Sequence, residues 1–429
     1  MSVLALFGGK KTVTLDYKKE ATLPICREAG IKEVNRLMEI GETSQSDVVT
    51  KFASRFAAYS DASYALCTSN GTAALHSALF AVGVGPGDEV IVPSYTFWAS
   101  VTPIIASHAI PVFCDVDKET FCLDPSEILK HITPRTKAIM VVHVWGNPCA
   151  MASIMEIAKK YSLKVIEDCS HAHGASYHDK KVGVWGDVGC FSLQGTKTLP
   201  GGEGGILVTN NEEYYERAVA LGHYDVIPTL DASSSYRKYA LTAMGYKYRI
   251  HPFAAALANA ALDDLDEVSV VRERNARKLN EGIKDIPFIT TQGEYSHTKR
   301  VFSYHYGRYI PTSEHIKEPY ALLKALSSEG VSCGYCGYGR LHSAPLFLEG
   351  GPFGDCKSPS RSLPVTELLA HTTFLVAPRF EKECDPLINQ YIDAYHKVAE
   401  NIDEVLHYAK ENTFEKELSA LSGRSIAKL

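Results

Sequence analysis

Long apolar runs are missing from this 429-residue sequence. Every such stretch stops short of the ~18–20 residues a membrane-spanning helix needs. The opening Met-Ser-Val-Leu-Ala-Leu-Phe has no basic flank ahead of it and is soon ended by Lys10 and Lys11, so no signal peptide is expected. Lysine and arginine do not cluster, and the formal net charge is −6, which argues against a nucleic-acid surface and against a polybasic membrane patch. Internal repeats and low-complexity linkers are lacking as well. A disulfide framework is not indicated: the 11 cysteines are odd in number and scattered, several of them (Cys114, Cys169, Cys190) inside apolar runs. Buried thiols in a reducing compartment explain that pattern, and the expected location is cytoplasmic. Cys333-Gly-Tyr-Cys336 has the spacing of a redox or zinc half-site, but no second Cys or His pair accompanies it, so no metal is expected.

What is present is an alternation of helical and strand signals from about residue 44 to 210. Ser44 or Ser46 caps a helix whose apolar positions Val48, Val49, Phe52, Phe56 and Ala57 share a face. Asn70-Gly71-Thr72 opens an Ala/Leu-rich helix to about Gly83. Six short apolar runs read as buried strands: 89–94, 111–116, 138–145, 164–169, 188–193 and 205–209. Helical segments at 98–107, 125–132 and 152–161 separate several of them. Strands apolar on both faces, alternating with helices, predict a mostly parallel sheet covered on both sides. Beyond residue 250 a long helix is expected over 253–283, then shorter mixed signals and a charged tail after Glu411 that frays or forms a short surface helix. The expected class is α/β, with a large domain over 1–250 and a smaller α+β domain over 251–429.

In open α/β sheets ligands lie beyond the carboxyl ends of the strands, and there the polar residues of this sequence collect. Ser69-Asn70-Gly71-Thr72 sits at a helix start, where backbone N–H groups and the helix dipole suit a phosphate, although such a start is usually only a cap. Asp168 ends a buried strand and needs a partner; a protonated pyridinium is one, a helix N-cap or a buried salt bridge are others. Lys197 lies in a loop among small residues, Gln194-Gly-Thr-Lys-Thr-Leu-Pro-Gly-Gly-Glu-Gly-Gly205. A lysine desolvated there becomes a nucleophilic amine; a solvated loop lysine is the alternative. The glycines do not spell G-x-G-x-x-G before a helix, so dinucleotide binding is a poor explanation. Phe97 and Trp98 follow a strand, where a ring can stack on a planar cofactor or pack in the core.

As a set, Ser-Asn-Gly-Thr (69–72), Thr96-Phe97, Glu167-Asp168, and Phe191-Ser192 followed by Lys197 and Gly-Glu-Gly-Gly (202–205) resemble the DegT/DnrJ/EryC1/StrS aminotransferases, from Leu6-Phe7-Gly8-Gly9 to His342-x-x-Pro345. The resemblance implies a fold-type-I pyridoxal 5′-phosphate enzyme of amino-sugar or aminocyclitol biosynthesis. It implies Lys197 as the Schiff-base lysine and proton-transfer base, with Asp168 on the pyridine nitrogen. Asn70, Gly71, Thr72 and Ser192 would hold the phosphate, and Phe97 would stack on the ring. His171, where many members have Gln, would lie near the phenolic oxygen, as in members resembling 3-amino-5-hydroxybenzoate synthase, there to hydrogen-bond the phenolate or substrate; a satisfied structural histidine is the alternative. In Gly245-Tyr246-Lys247-Tyr248-Arg249, Lys247 stands where the family has an Asn that reaches the phosphate of the partner subunit. A homodimer with shared sites is therefore implied.

The expected reaction moves an amino group from L-glutamate or L-glutamine to a keto-sugar or ketocyclitol, with Trp98, His143, Trp145, Lys247 and His342 as candidate substrate contacts. A dehydratase or deoxygenase of the same fold is the alternative, but such relatives replace the lysine by His. A non-catalytic regulatory protein of this fold is a third reading, against which Lys197 and Asp168 both speak.

Overall fold

The strand-like runs do form a sheet, and its register explains where the polar residues end up. The computed structural model describes residues 2–311, 319–350, 354, 356–359 and 361–412. The expected tail beyond Glu411 lies, except for Asn412, outside the described residues. In chain order the strands are β1 (Tyr64–Thr68), β2 (Glu89–Pro93), β3 (Ile110–Cys114), β4 (Thr136–Val142), β5 (Lys164–Asp168), β6 (Ser176–Tyr177), β7 (Lys180–Lys181), β8 (Val188–Ser192), β9 (Gly205–Thr209), β10 (Ile289–Thr291), β11 (Thr298–Lys299), β12 (His305–Tyr309), β13 (Gly334–Tyr335) and β14 (Thr373–Ala377).

Seven of them form one sheet in the order β1-β9-β8-β5-β4-β2-β3. The pairs from β3 through β2, β4 and β5 to β8 are all parallel, and β9 runs antiparallel between β8 and β1. Every residue of β2 and of β9 is buried. That is why these strands read as continuous apolar runs rather than alternating ones. Because Val142 pairs with Asp168 and Pro93 with Cys114, the carboxyl ends line up along one edge. The start of β9 reaches the same edge, where Gly205 pairs with both Ser192 and Thr68. A second, antiparallel sheet has the order β10-β12-β14-β13, and β11-β6-β7 form a small ribbon. The second sheet has its own apolar cluster, including Leu322, Leu326, Phe374, Val376, Tyr391 and Tyr395.

Several boundaries differ from expectation. The helix expected over 253–283 is two, Pro252–Ala261 and Leu265–Ile283. The interruption follows from Asp263 and Asp264, whose carboxylates are taken by Arg55 at 2.6 Å and Arg27 at 2.7 Å. Asp266 and Glu267 then suit the first turn of a new helix, where negative charge meets the positive end of the dipole. The segment 98–107 is a 3₁₀ turn, Trp98–Ser100, followed by Thr102–Ala106, because Pro103 is tolerated only near a helix start. The helix expected over 125–132 stops at Leu129. β1 was not expected; its five residues lie between two helices, too few to show a period. Ser46 does cap the helix Asp47–Tyr59, accepting the Val48 N–H at 3.3 Å.

β4 ends before His143, and Trp145 takes a left-handed backbone with φ 59°. A bulky residue rarely holds that conformation; here the Trp145 N–H donates to His171 Nδ1, and Gly146 after it is left-handed as well, with φ 88°. A Cβ on Gly146 would overlap the Val301 carbonyl oxygen.

Candidate active site

At the carboxyl edge of the large sheet lies a cavity of ≈500 Å³. Asn70, Gly71, Thr72, Phe97, Trp145, Asp168, His171, Ser192 and Lys197 all line it. Nine of the candidate residues therefore meet in one place, and each arrives by a different local device.

Asp168 ends β5 with 4% of its surface exposed. Its carboxylate is held from both sides: Ser100 Oγ donates to Oδ2 at 2.7 Å, and the Ser170 N–H donates to Oδ1 at 3.0 Å. Burying this charge would be costly without such donors. Lys197 lies in the loop joining β8 to β9. Burial pushes its amine down to about 8; Asp168 opposes that shift and the Arg379 guanidinium adds to it. Arg379 also donates from Nη1 to the Thr196 carbonyl, tying the loop to the segment after β14.

Asn70 caps the helix Gly71–Ala81 by accepting the Ala73 N–H at 2.8 Å. The N–H groups of Gly71 and Thr72 belong to the first turn and have no intrahelical acceptor, which suits an anion. A Cβ on Gly71 would stand 2.9 Å from Ser192 Cβ, so only glycine leaves the helix start this close to the end of β8. Phe97 is 47% exposed and lines the cavity. His171 is buried, and its Nδ1 accepts the Trp145 N–H at 3.2 Å. Burial first, then the charge of Lys197, holds its pKa well below the ordinary histidine value, so the ring is neutral.

Four candidates do not join this group. His143 is fully buried; Nε2 donates to Glu167 Oε2 at 3.0 Å and Nδ1 accepts the Cys149 N–H at 3.0 Å. Successive strand residues face opposite ways, so Glu167 turns from the cavity when Asp168 turns toward it, and His143 goes with Glu167. Glu167 also accepts from the N–H groups of Gly183, Trp185 and Gly186. His143, Glu167 and Cys169 are close enough to share an ion. However, both ring nitrogens and both carboxylate oxygens already have partners. His342 is a brace outside the cavity, its Nδ1 2.8 Å from Ser94 Oγ and its backbone N–H donating to the same oxygen at 3.1 Å. Trp98 is 51% exposed, packs on Phe97 with ring centroids 4.8 Å apart, and does not line the cavity. Lys247 is exposed and also outside it.

Ser100, Ser170, Glu203, Tyr304, Tyr306 and Tyr338 also reach the cavity and were not among the expected site residues. Ser170 was detectable, since an Asp accepting the N–H two residues on is a common turn. The three tyrosines come from distant segments and carry no local mark.

The residues present fit pyridoxal 5′-phosphate. They offer an amine depressed toward neutrality, a carboxylate locked in place for a pyridinium, a helix start for a phosphate and an aromatic face. Fold and site together define a pyridoxal phosphate-dependent enzyme with a mostly parallel α/β core. The chain belongs to the DegT/DnrJ/EryC1/StrS aminotransferase family, whose profile matches residues 24–380. It is 43% identical over 225 residues to the GDP-perosamine synthase of Escherichia coli O157:H7, a match spanning 52% of this chain and 60% of that enzyme. It is 32% identical over 350 residues to the L-glutamine:2-deoxy-scyllo-inosose aminotransferase of Streptomyces kanamyceticus, covering 78% of this chain and 75% of that one. The crystal structure of 3-amino-5-hydroxybenzoic acid synthase superposes with a TM-score of 0.76 at 28% identity, over 90% of this chain and 99% of that chain.

Proposed function

We propose that this protein is an aminotransferase that takes an amino group from L-glutamine or L-glutamate and delivers it to the ketone of a sugar or cyclitol. The observation that carries the proposal is Lys197 in the same cavity as a doubly anchored Asp168, its amine brought down to about 8.

When bound, the cofactor supplies an electron sink next to the carbon that exchanges the amino group. Lys197 would hold the cofactor through Nζ, and its amine would be the base that moves the proton at that carbon. Asp168 keeps the pyridine nitrogen protonated. Asn70, Gly71, Thr72 and Ser192 would hold the phosphate and Phe97 would cover the ring, while neutral His171 lies in the same cavity with both ring nitrogens already engaged, by the Trp145 N–H and by Tyr338 Oη. The lysine also speaks against a dehydratase or deoxygenase chemistry, whose enzymes have His at this position.

Relatives that act on a GDP-linked sugar and on a free cyclitol both support a hydroxylated cyclic ketone as acceptor. The likeness to 3-amino-5-hydroxybenzoic acid synthase, together with His171, favours a carbocyclic precursor as the second reading. The chain is divided into a cofactor-binding part over 1–250 and a smaller part over 251–429. It works as a homodimer in which Lys247 reaches the partner's phosphate. Support comes from the exposed run around it, where Leu241 is 92% exposed and Met244 and Tyr246 are also accessible. No helix among the described residues is long and apolar enough to cross a membrane. The buried free thiols support a reducing, cytoplasmic setting.

The test is transfer of a ¹⁵N-amino group from labelled L-glutamine to 2-deoxy-scyllo-inosose or to a nucleotide-linked 4-ketohexose, read by mass spectrometry. A labelled amine product supports the proposal. Incubation that labels neither ketone, in a protein that binds the cofactor, would contradict it.

A further inference from the structure

His171 Nδ1 is committed as an acceptor to the Trp145 N–H, so the hydrogen of the neutral ring sits on Nε2. Tyr338 Oη lies 3.4 Å from that nitrogen, the two rings nearly parallel with centroids 6.3 Å apart. The histidine must therefore be the donor and the tyrosine oxygen the acceptor. The phenolic hydrogen of Tyr338 is left to point elsewhere, and Tyr338 lines the cavity. Burial also raises the tyrosine's pKa well above its usual value, so the phenol keeps its proton.

The placement of Tyr338 is built rather than incidental. Two residues before it, Cys336 Sγ accepts from Tyr95 Oη at 3.3 Å and the Cys336 N–H donates to the Thr373 carbonyl at 3.3 Å. Four residues after it, His342 is locked to Ser94 by two hydrogen bonds. Ser94 and Tyr95 directly follow β2 in the large sheet, so this segment is fastened to the cavity rim on both sides of Tyr338. Its ring is further confined between Trp145 at 5.0 Å and Tyr95 at 5.8 Å.

We infer that Tyr338 is the residue that recognises the acceptor, donating its hydroxyl hydrogen to an oxygen of a hydroxylated cyclic ketone, and that His171 is a positioning residue that sets the direction of that donation. Trp145, with Tyr304 and Tyr306 packed edge to face on it, adds aromatic surface to the same lining. This rests on the aminotransferase reading above and adds which residue selects the acceptor.

The experiment has two arms on the holoenzyme. In the first, ¹⁵N NMR of histidine-labelled protein at pH 7 identifies the His171 signals by their loss in His171→Gln. A neutral ring with hydrogen on Nε2 is expected; an imidazolium, or hydrogen on Nδ1, overturns the relay. In the second, enzyme first aminated by L-glutamine is titrated with 2-deoxy-scyllo-inosose and with a nucleotide-linked 4-ketohexose. Tyr338→Phe is expected to raise KM for the accepted ketone at least tenfold and to leave the L-glutamine step unchanged. His171→Gln, whose amide can accept from Trp145 and donate to Tyr338, is expected to stay within threefold of the native KM, whereas His171→Leu follows Tyr338→Phe. Equal KM values for native enzyme and Tyr338→Phe overturn the inference. If the native enzyme aminates neither ketone, the functional reading has failed and the NMR arm alone decides the relay.

Discussion

Ser100 Oγ lies 2.7 Å from Asp168 Oδ2 and 2.9 Å from Thr96 Oγ1, so one hydroxyl links the turn after β2 to the carboxylate at the end of β5. Since Ser100 gives its hydrogen to the carboxylate, Thr96 must give its own to Ser100. The chain of donors fixes the rotamer of Asp168 before any ligand arrives.

Removing that link is expected to loosen the cofactor. A hydrogen bond to a charged group contributes about 1.5–3 kcal/mol. Ser100→Ala should raise the dissociation constant of pyridoxal phosphate by roughly tenfold or more, measured by equilibrium dialysis of the apoenzyme. Restoration by Ser100→Thr would show that the hydroxyl is responsible. An unchanged constant in Ser100→Ala would show that Ser170 alone suffices.

The depressed pKa of Lys197 makes a kinetic prediction. Only the neutral amine attacks an aldehyde, so uptake of pyridoxal phosphate by apoenzyme should rise with pH and reach half its maximum near 8. Arg379 lowers this pKa, and its replacement in Arg379→Gln should move the midpoint upward. Stopped-flow absorbance across pH 6–10 reads both; a midpoint unaffected by the substitution would remove Arg379 from the account.

His173 and His305 should make the fold acid-sensitive. Burial pushes both down to about 3, and each stays neutral where an unfolded histidine is charged. The unfolded state therefore binds more protons between about pH 6.5 and 3, so stability falls as pH falls through that window. Each group contributes a slope approaching about 1.4 kcal/mol per pH unit. Urea unfolding of native protein and of His305→Gln at pH 7, 6 and 5 should show the slope reduced by roughly one proton in the variant.

Gly71→Ala should be felt in both stability and cofactor retention. The added Cβ meets Ser192 Cβ at 2.9 Å, and overpacking of this kind costs about 1–3 kcal/mol. A lowered Tm with faster loss of pyridoxal phosphate on gel filtration is the expected result. A normal Tm with normal retention would mean that the helix start shifts freely.

The large sheet was readable because its strands are buried on both faces and therefore appear as apolar runs bounded by polar ends. Asp168, Lys197 and the Asn70–Thr72 helix start were readable because each departs from what its position would otherwise hold. His143 and His342 were misplaced because their surroundings are set by sheet facing and by a segment some 250 residues away in the chain, as the Ser94–His342 pair shows. The tyrosine cluster could not be read at all: Tyr304, Tyr306 and Tyr338 are three of 23 tyrosines, and only the packing of the 304–306 and 336–342 segments against Trp145 singles them out.

The central claim is that Lys197 holds pyridoxal phosphate in a site that accepts amino groups. Its most direct test is the visible absorption spectrum of the purified protein before and after L-glutamine or L-glutamate, beside Lys197→Ala. The account predicts a yellow protein whose visible band bleaches with an amino donor, returns with a ketone acceptor, and is missing as a covalent band in the variant. A protein that takes up no pyridoxal phosphate, or a Lys197→Ala variant with the native band intact, would contradict it.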